Sequence, residues 1–162
     1  MSGHEPGRAR DTARVIAPPP LLFLGAAAIG LAFDRLAGLP PLGLAIALRW
    51  ALGMALLSLG LALGLSAIRA FRAAGTPPEP WEPTTAFVAR GPYRFTRNPM
   101  YLGMLLGTLA LAAAFDSPGV LLMVPPLVGL VQWGVIAREE RYMAARFGQP
   151  YLDWKARVRR WL

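Results

Sequence analysis

GPYRFTRNPMYLG, residues 91 to 103, carries a dense polar cluster straight into a long apolar run. Tyr93, Arg94, Arg97, Asn98 and Tyr101 stand at its head, and the run itself, Pro99 to Phe115, has 17 residues without a charge. Charged groups at a membrane boundary are costly to fix in place, so such a cluster points to a functional site. Local structure explains part of it. Asn98 followed by Pro99 is a good helix start, since Asn caps free N–H groups and Pro fits the first helical position. Arginines beside a span are ordinary interfacial anchors. Neither reason covers Tyr93, Tyr101 and Gly103.

Three more uncharged runs accompany this one. Val15 to Phe33 has 19 residues, Trp50 to Ile68 has 19 and Ser117 to Ala137 has 21. Each is near the roughly 20 residues that cross ~30 Å of hydrocarbon as a helix. At 162 residues, 55% hydrophobic and 16% charged, the chain reads as one all-α integral membrane domain with four transmembrane helices. The first run is followed by further spans and by no small-residue cleavage site, so it reads as a span and not as a cleaved signal.

The net charge of +8 could suggest nucleic acid, but its distribution points to a membrane. The tail holds Arg8, Arg10 and Arg14, the first turn region Arg35 and Arg49, and the central loop Arg69, Arg72, Arg90, Arg94 and Arg97. The loop after the third span has none, and the last segment has seven. By the positive-inside rule both termini and the central loop are cytoplasmic, with basic rims suited to anionic headgroups and no nucleic acid partner. There is no cysteine, which excludes disulfides and thiolate chemistry. The single histidine, His4, lies in the polar tail, so neither histidine catalysis nor a metal site is expected.

Residues 1–14 read as a flexible tail. Pro18, Pro19 and Pro20 fall in the first turn of span one, and Gly38, Pro40 and Pro41 mark the outer turn. Span two could begin as early as Leu42, with Arg49 snorkelling outward. Gly60 and Gly64, like Gly103 and Gly107, have the spacing that lets membrane helices approach closely. Pro125-Pro126 should kink span four and free carbonyls that need partners. In the central loop, GTPPEPWEP at 75–83 should be extended, with Trp81 at the membrane interface. From Arg138 onward Tyr151, Trp154, Val158 and Trp161 share one helical face, the pattern of an amphipathic helix in the headgroup plane.

The short loop between spans three and four makes them antiparallel neighbours. The acidic pair Glu139-Glu140, flanked by Arg138 and Arg141, is thereby brought near Arg94, Arg97 and Tyr101. A surface ion-pair network at a membrane rim accounts for the charge pattern equally well.

The two clusters together, GPYRFTRNPMYLG and then Glu139, Glu140, Phe147, Gly148, Tyr151 and Trp154, resemble the isoprenylcysteine carboxyl methyltransferase and phospholipid methyltransferase superfamily of integral-membrane enzymes. The segment Ala74-Gly75-Thr76-Pro77 is similar to bacterial members, for which the inner membrane is the expected location. The similarity covers approximately residues 70 to 160. It implies S-adenosylmethionine as methyl donor, held between the cytoplasmic ends of spans three and four and closed over by the last segment. Carried onto this chain, the donor-binding residues are Arg94, Arg97, Asn98, Pro99, Tyr101, Gly103, Glu139, Glu140 and Tyr151. Arg97 and Glu140 are the candidate catalytic residues. Tyr93, Phe147, Tyr151 and Trp154 shape a lid, or pack at the interface.

These residue types suit the chemistry. Arginine grips a carboxylate bidentately, a glutamate accepts ribose hydroxyls, and an aromatic face favours a sulfonium. Amides at the start of span three could hold the donor's carboxylate. A carboxylate acceptor needs no general base, while an amine acceptor would call on an acid such as Glu140. Many prenylcysteine enzymes of the superfamily have His where this chain has Asn98, so the resemblance reaches the donor site and leaves the lipophilic acceptor open. Two other classes compete: NADPH-binding membrane reductases with a related helix-start motif, and a non-catalytic four-helix membrane protein binding lipid or a partner.

Overall fold

The computed structural model describes residues 12–13 and 15–162; the expected flexible tail, with His4, Arg8, Arg10 and Arg14, otherwise lies outside them. The described residues form α1 (Pro19–Ala37), α2 (Ile46–Ala73), α3 (Pro99–Ala114), α4 (Pro118–Val131), α5 (Ala137–Phe147) and α6 (Gln149–Arg157). No strand forms among them; Thr96 and Arg159 make an isolated parallel bridge. The architecture is all-helical, as the sequence predicts.

Among the described residues three stretches are long and apolar enough to cross a membrane: Pro19–Ala37, Ile46–Ala73 and Pro118–Phe147. The predicted third span is the short one. At 16 residues α3 rises about 24 Å, less than the ~30 Å of a hydrocarbon core.

The other boundaries move for local reasons. Span one begins at Pro19 and not at Val15, because prolines lack an N–H and disfavour helix in the residue before them. It ends at Gly38, which is left-handed at φ 62 and donates back to the Asp34 carbonyl. Span two begins at Ile46, later than Leu42, since the N–H groups of Gly43 and Leu44 donate to the Asp116 carboxylate. It runs on to Ala73, a turn past its apolar run, because helical hydrogen bonding does not stop where apolarity does. Span four passes through Pro125 and Pro126, widens into a π-helical turn at Gln132–Ile136 and continues as α5.

The helices turn small residues inward and large ones outward, the arrangement of membrane bundles. α2 packs on α3 where a side chain at Gly60 would meet the Gly103 carbonyl at 2.6 Å. α1 packs on α4 at Gly30, where a side chain would meet the Val120 Cα at 2.5 Å. Leu21, Leu24, Ile29, Ile46, Trp50, Met54, Leu59 and Trp133 are exposed. Such an outer face needs hydrocarbon around it.

One end of the bundle is closed by a polar latch. Arg49 pairs with Asp116 at 3.9 Å and donates to the Ala114 carbonyl at 2.9 Å, so it is held by the protein and does not snorkel away. Asp34 accepts from Ser117 and from the Gly119 N–H, capping α4. The opposite end gathers the start of α1, the end of α2, the start of α3 and α5 around a cavity.

Candidate active site at the polar end of the bundle

The cavity measures about 350 Å³, within the range of small-molecule sites. Its walls are largely apolar, from Ile68 and Phe71 of α2, Met100 and Met104 of α3, Ile136, and Met143 of α5. The proline segment 77–80 and Trp81 close one side in an irregular conformation, as its three prolines require. Thr84, also on that side, donates its N–H to the Tyr142 hydroxyl at 3.1 Å and so ties the loop to α5.

The polar groups come from the two sequence clusters. Arg97, Asn98, Tyr101, Glu139, Glu140 and Tyr151 all line the cavity. Three other candidates do not. Arg94 ends the 3₁₀ turn Gly91–Arg94 and is exposed. Pro99 occupies the first helical position and is fully buried outside the cavity lining. Gly103 faces α2, where a side chain would meet the Gly60 carbonyl at 2.7 Å. Tyr101 and Met104 point into the cavity, and helical periodicity puts residue 103 about 200° around from residue 101. The close approach that Gly103 permits is thus between helices.

The two glutamates have different surroundings. Tyr101 donates its hydroxyl to Glu139 Oε1 at 2.5 Å. Glu140 is a hub of cations. Arg160 grips it bidentately at 2.9 and 2.8 Å, Lys155 reaches it at 3.0 Å and Arg97 at 3.4 Å. That pairing holds the Arg160 guanidinium above its ordinary pKa. Both Glu140 oxygens being taken, its capacity as a base or a hydroxyl acceptor is spent inside the protein. Arg97 is the reverse case. Its Nη2 reaches Glu140, while its Nε and Nη1 are buried with no hydrogen-bond partner among the described residues. Such donors are costly to leave unmade, and they belong to a residue lining the cavity.

Asn98 caps nothing with its side chain. Its Nδ2 donates instead to the Arg160 carbonyl at 2.8 Å, beside Thr96 Oγ1 at 3.2 Å and the Arg97 N–H to the Arg159 carbonyl at 2.9 Å. The segment after α6 is thereby strapped across the start of α3. The aromatic residues of α6 turn inward: Trp154 donates to the Tyr93 carbonyl at 3.1 Å, and Phe87 of the central loop stacks edge-on to Trp154 at 5.2 Å and to Tyr151 at 5.8 Å. The expected single amphipathic helix is broken at Gly148, whose φ of 59 and ψ of −136 suit glycine alone. Burial pushes the phenols of Tyr93 and Tyr151 well above their ordinary pKa, so both stay neutral.

Arg160, Lys155 and the π-helical turn carry no local sequence signal as site features. The carbonyl of Gly134, within that turn, accepts from the Ile16 N–H at 3.4 Å, and Gln132 accepts from Trp161 Nε1 at 3.0 Å.

A sequence profile of phospholipid methyltransferases matches residues 48–150, well over half of the chain. The chain belongs to the phospholipid methyltransferase family. This family is part of the isoprenylcysteine carboxyl methyltransferase-like superfamily. The matched residues run from α2 through α5 and include Arg97, Tyr101, Glu139 and Glu140, whereas Tyr151, Lys155 and Arg160 lie beyond them. An uncharacterized protein of Haemophilus influenzae is 38% identical over 63 residues, 39% of this chain and all of that protein. No solved structure matches. Membership in a phospholipid methyltransferase family, with three helices fit to cross a bilayer, points to a membrane methyltransferase.

Proposed function

We propose that this chain transfers a methyl group from S-adenosylmethionine to a lipophilic acceptor, a carboxylate or an amine, at the cytoplasmic leaflet of the inner membrane. One observation carries the donor assignment: Arg97, two of whose guanidinium nitrogens are buried without a hydrogen-bond partner among the described residues, in an aromatic-walled cavity of about 350 Å³. A carboxylate-bearing sulfonium nucleoside fits that chemistry. When bound, the donor supplies an activated methyl on sulfur, so the protein needs neither histidine nor cysteine.

The chain's own residues do the rest. Arg97 binds the carboxylate by charge-assisted hydrogen bonds. Phe87, Tyr151 and Trp154 exclude water and present ring faces or edges to the cavity. Glu139, held by Tyr101, is the carboxylate placed to orient an amine and take its proton, a role the sequence reading gave to Glu140. Holding two reactants in near-attack geometry contributes about 7–11 kcal/mol at most. Among the described residues Arg35 and Arg49 are the basic groups toward the latch end and the others lie toward the cavity end, a bias that supports four spans and cytoplasmic termini in a single domain over 1–162.

Purified protein in detergent, titrated with S-adenosylmethionine, S-adenosylhomocysteine and NADPH, tests this reading. The first two should raise apparent stability, by ~2.7 kcal/mol at 100 times the dissociation constant, and NADPH should not. A shift with NADPH alone, or with none of the three, refutes it. Following a labelled methyl group into extracted lipids then identifies the acceptor.

A further inference from the structure

We propose that Arg160 is a positioning residue: with Lys155 it occupies Glu140 and so keeps Arg97 free to take a carboxylate in the cavity. This rests on the donor reading above. Three cations converge on the one Glu140 carboxylate, and they are not equivalent. Arg160 has the side-on bidentate geometry at 2.9 and 2.8 Å and Lys155 a close contact at 3.0 Å, while Arg97 has a single contact at 3.4 Å. Side-chain exposure separates them further: 31% for Arg160 and 35% for Lys155, against 12% for Arg97. Water screens the first two. The positive charge left over after Glu140 is satisfied therefore resides on Arg97, the most buried of the three, with its two unpartnered nitrogens.

Without the Arg160 guanidinium the balance reverses. Glu140 loses its bidentate partner; Lys155 stays on Oε2, and Oε1, which Arg160 Nε had held, is left to Arg97. A paired Arg97 would face a carboxylate ligand as a competitor of Glu140. The strap itself would persist, because it is anchored by groups other than the Arg160 side chain. The carbonyls of Arg159 and Arg160 accept from Arg97, Thr96 and Asn98, and Trp161 donates to Gln132. The side chain's effect is thus separable from the segment's fold.

The experiment measures binding of S-adenosylhomocysteine and of its decarboxylated analogue, which keeps the nucleoside, thioether and amine, to the full chain in detergent. The wild-type protein should prefer the carboxylate-bearing ligand. Arg160→Gln should weaken that ligand roughly tenfold, the worth of one charged hydrogen bond, and leave the analogue unchanged. Arg160→Lys should retain part of the preference. Adding Glu140→Gln to Arg160→Gln should restore it, since a neutral amide does not capture Arg97. Equal weakening of both ligands, no wild-type preference, or no recovery in the double variant overturns the proposal. Wild-type protein that binds neither ligand refutes the donor reading itself.

Discussion

Replacing Gly60 by alanine tests the packing that holds the cavity's two principal walls together. A Cβ built there lies 2.6 Å from the Gly103 carbonyl oxygen and 3.2 Å from Leu106 Cβ. A carbon and a carbonyl oxygen settle at about 3.3 Å or more, so the helices must part by ~0.7 Å. The obstacle is backbone and cannot rotate away. Overpacking of this kind costs about 1–3 kcal/mol, and alanine returns some 0.5–1 kcal/mol of helix propensity. The net loss should be about 1–2 kcal/mol, and the reciprocal Gly103→Ala should match it. Gly64 and Gly107 are the controls: nothing lies within 4 Å of a Cβ at either. Gly64→Ala and Gly107→Ala should be neutral or stabilising by up to ~1 kcal/mol. Unfolding by SDS in mixed micelles, followed by tryptophan fluorescence, reads all four variants. If Gly60→Ala and Gly64→Ala shift the midpoint alike, the argument from carbonyl contact is wrong.

Tyr101→Phe removes the donor to Glu139 and should lower methyl transfer about tenfold, by losing one charged hydrogen bond, while unfolding stays near wild type; rates on extracted lipid check it. Gly148→Ala forces a side chain onto a glycine-only conformation and should cost roughly 1–3 kcal/mol in the same SDS titration. Asp116→Ala strips the acceptors of Gly43 and Leu44 and the partner of Arg49. Hydrogen exchange at those two amides should accelerate at least tenfold, the equivalent of ~1.4 kcal/mol, with the amides of α5 unaffected.

The apolar runs and the three-residue turn at 115–117 made the helices and their antiparallel pairing legible, and with them the meeting of Arg97 and Tyr101 with the glutamates. Helix ends were less legible. Hydropathy reports where side chains are apolar, while helices stop where backbone donors find other partners, as at Gly43, or where a glycine takes a non-helical conformation, as at Gly148. The glycine spacing showed that a close approach was available but not which glycine made it: Gly60 and Gly103 do, Gly107 does not. Gly30, the seam between α1 and α4, has no partner at that spacing in its own helix and went unseen. The assignments to Arg94, Pro99 and Gly103 came from a contiguous motif, whereas a helix shows only part of its circumference to one cavity. Lys155 and Arg160 meet Glu140 across 15 and 20 residues of chain, and no periodicity announces such a pairing. The split between Glu139 and Glu140 is likewise a property of their neighbours, not of the Glu-Glu pair.

The π-helical turn at Gln132–Ile136 sets the angular index of everything after it. An α-helix advances about 100° per residue, while a π-turn takes up one extra residue within a single turn, so α4 and α5, with its two carboxylates on the cavity wall, are phased by that one residue. Single-residue deletions upstream of the turn, in α4, would move the same groups by the same angle without changing any residue of the site. The length of this helix between the latch and the carboxylates is therefore as much a requirement of the chemistry as the glutamates themselves.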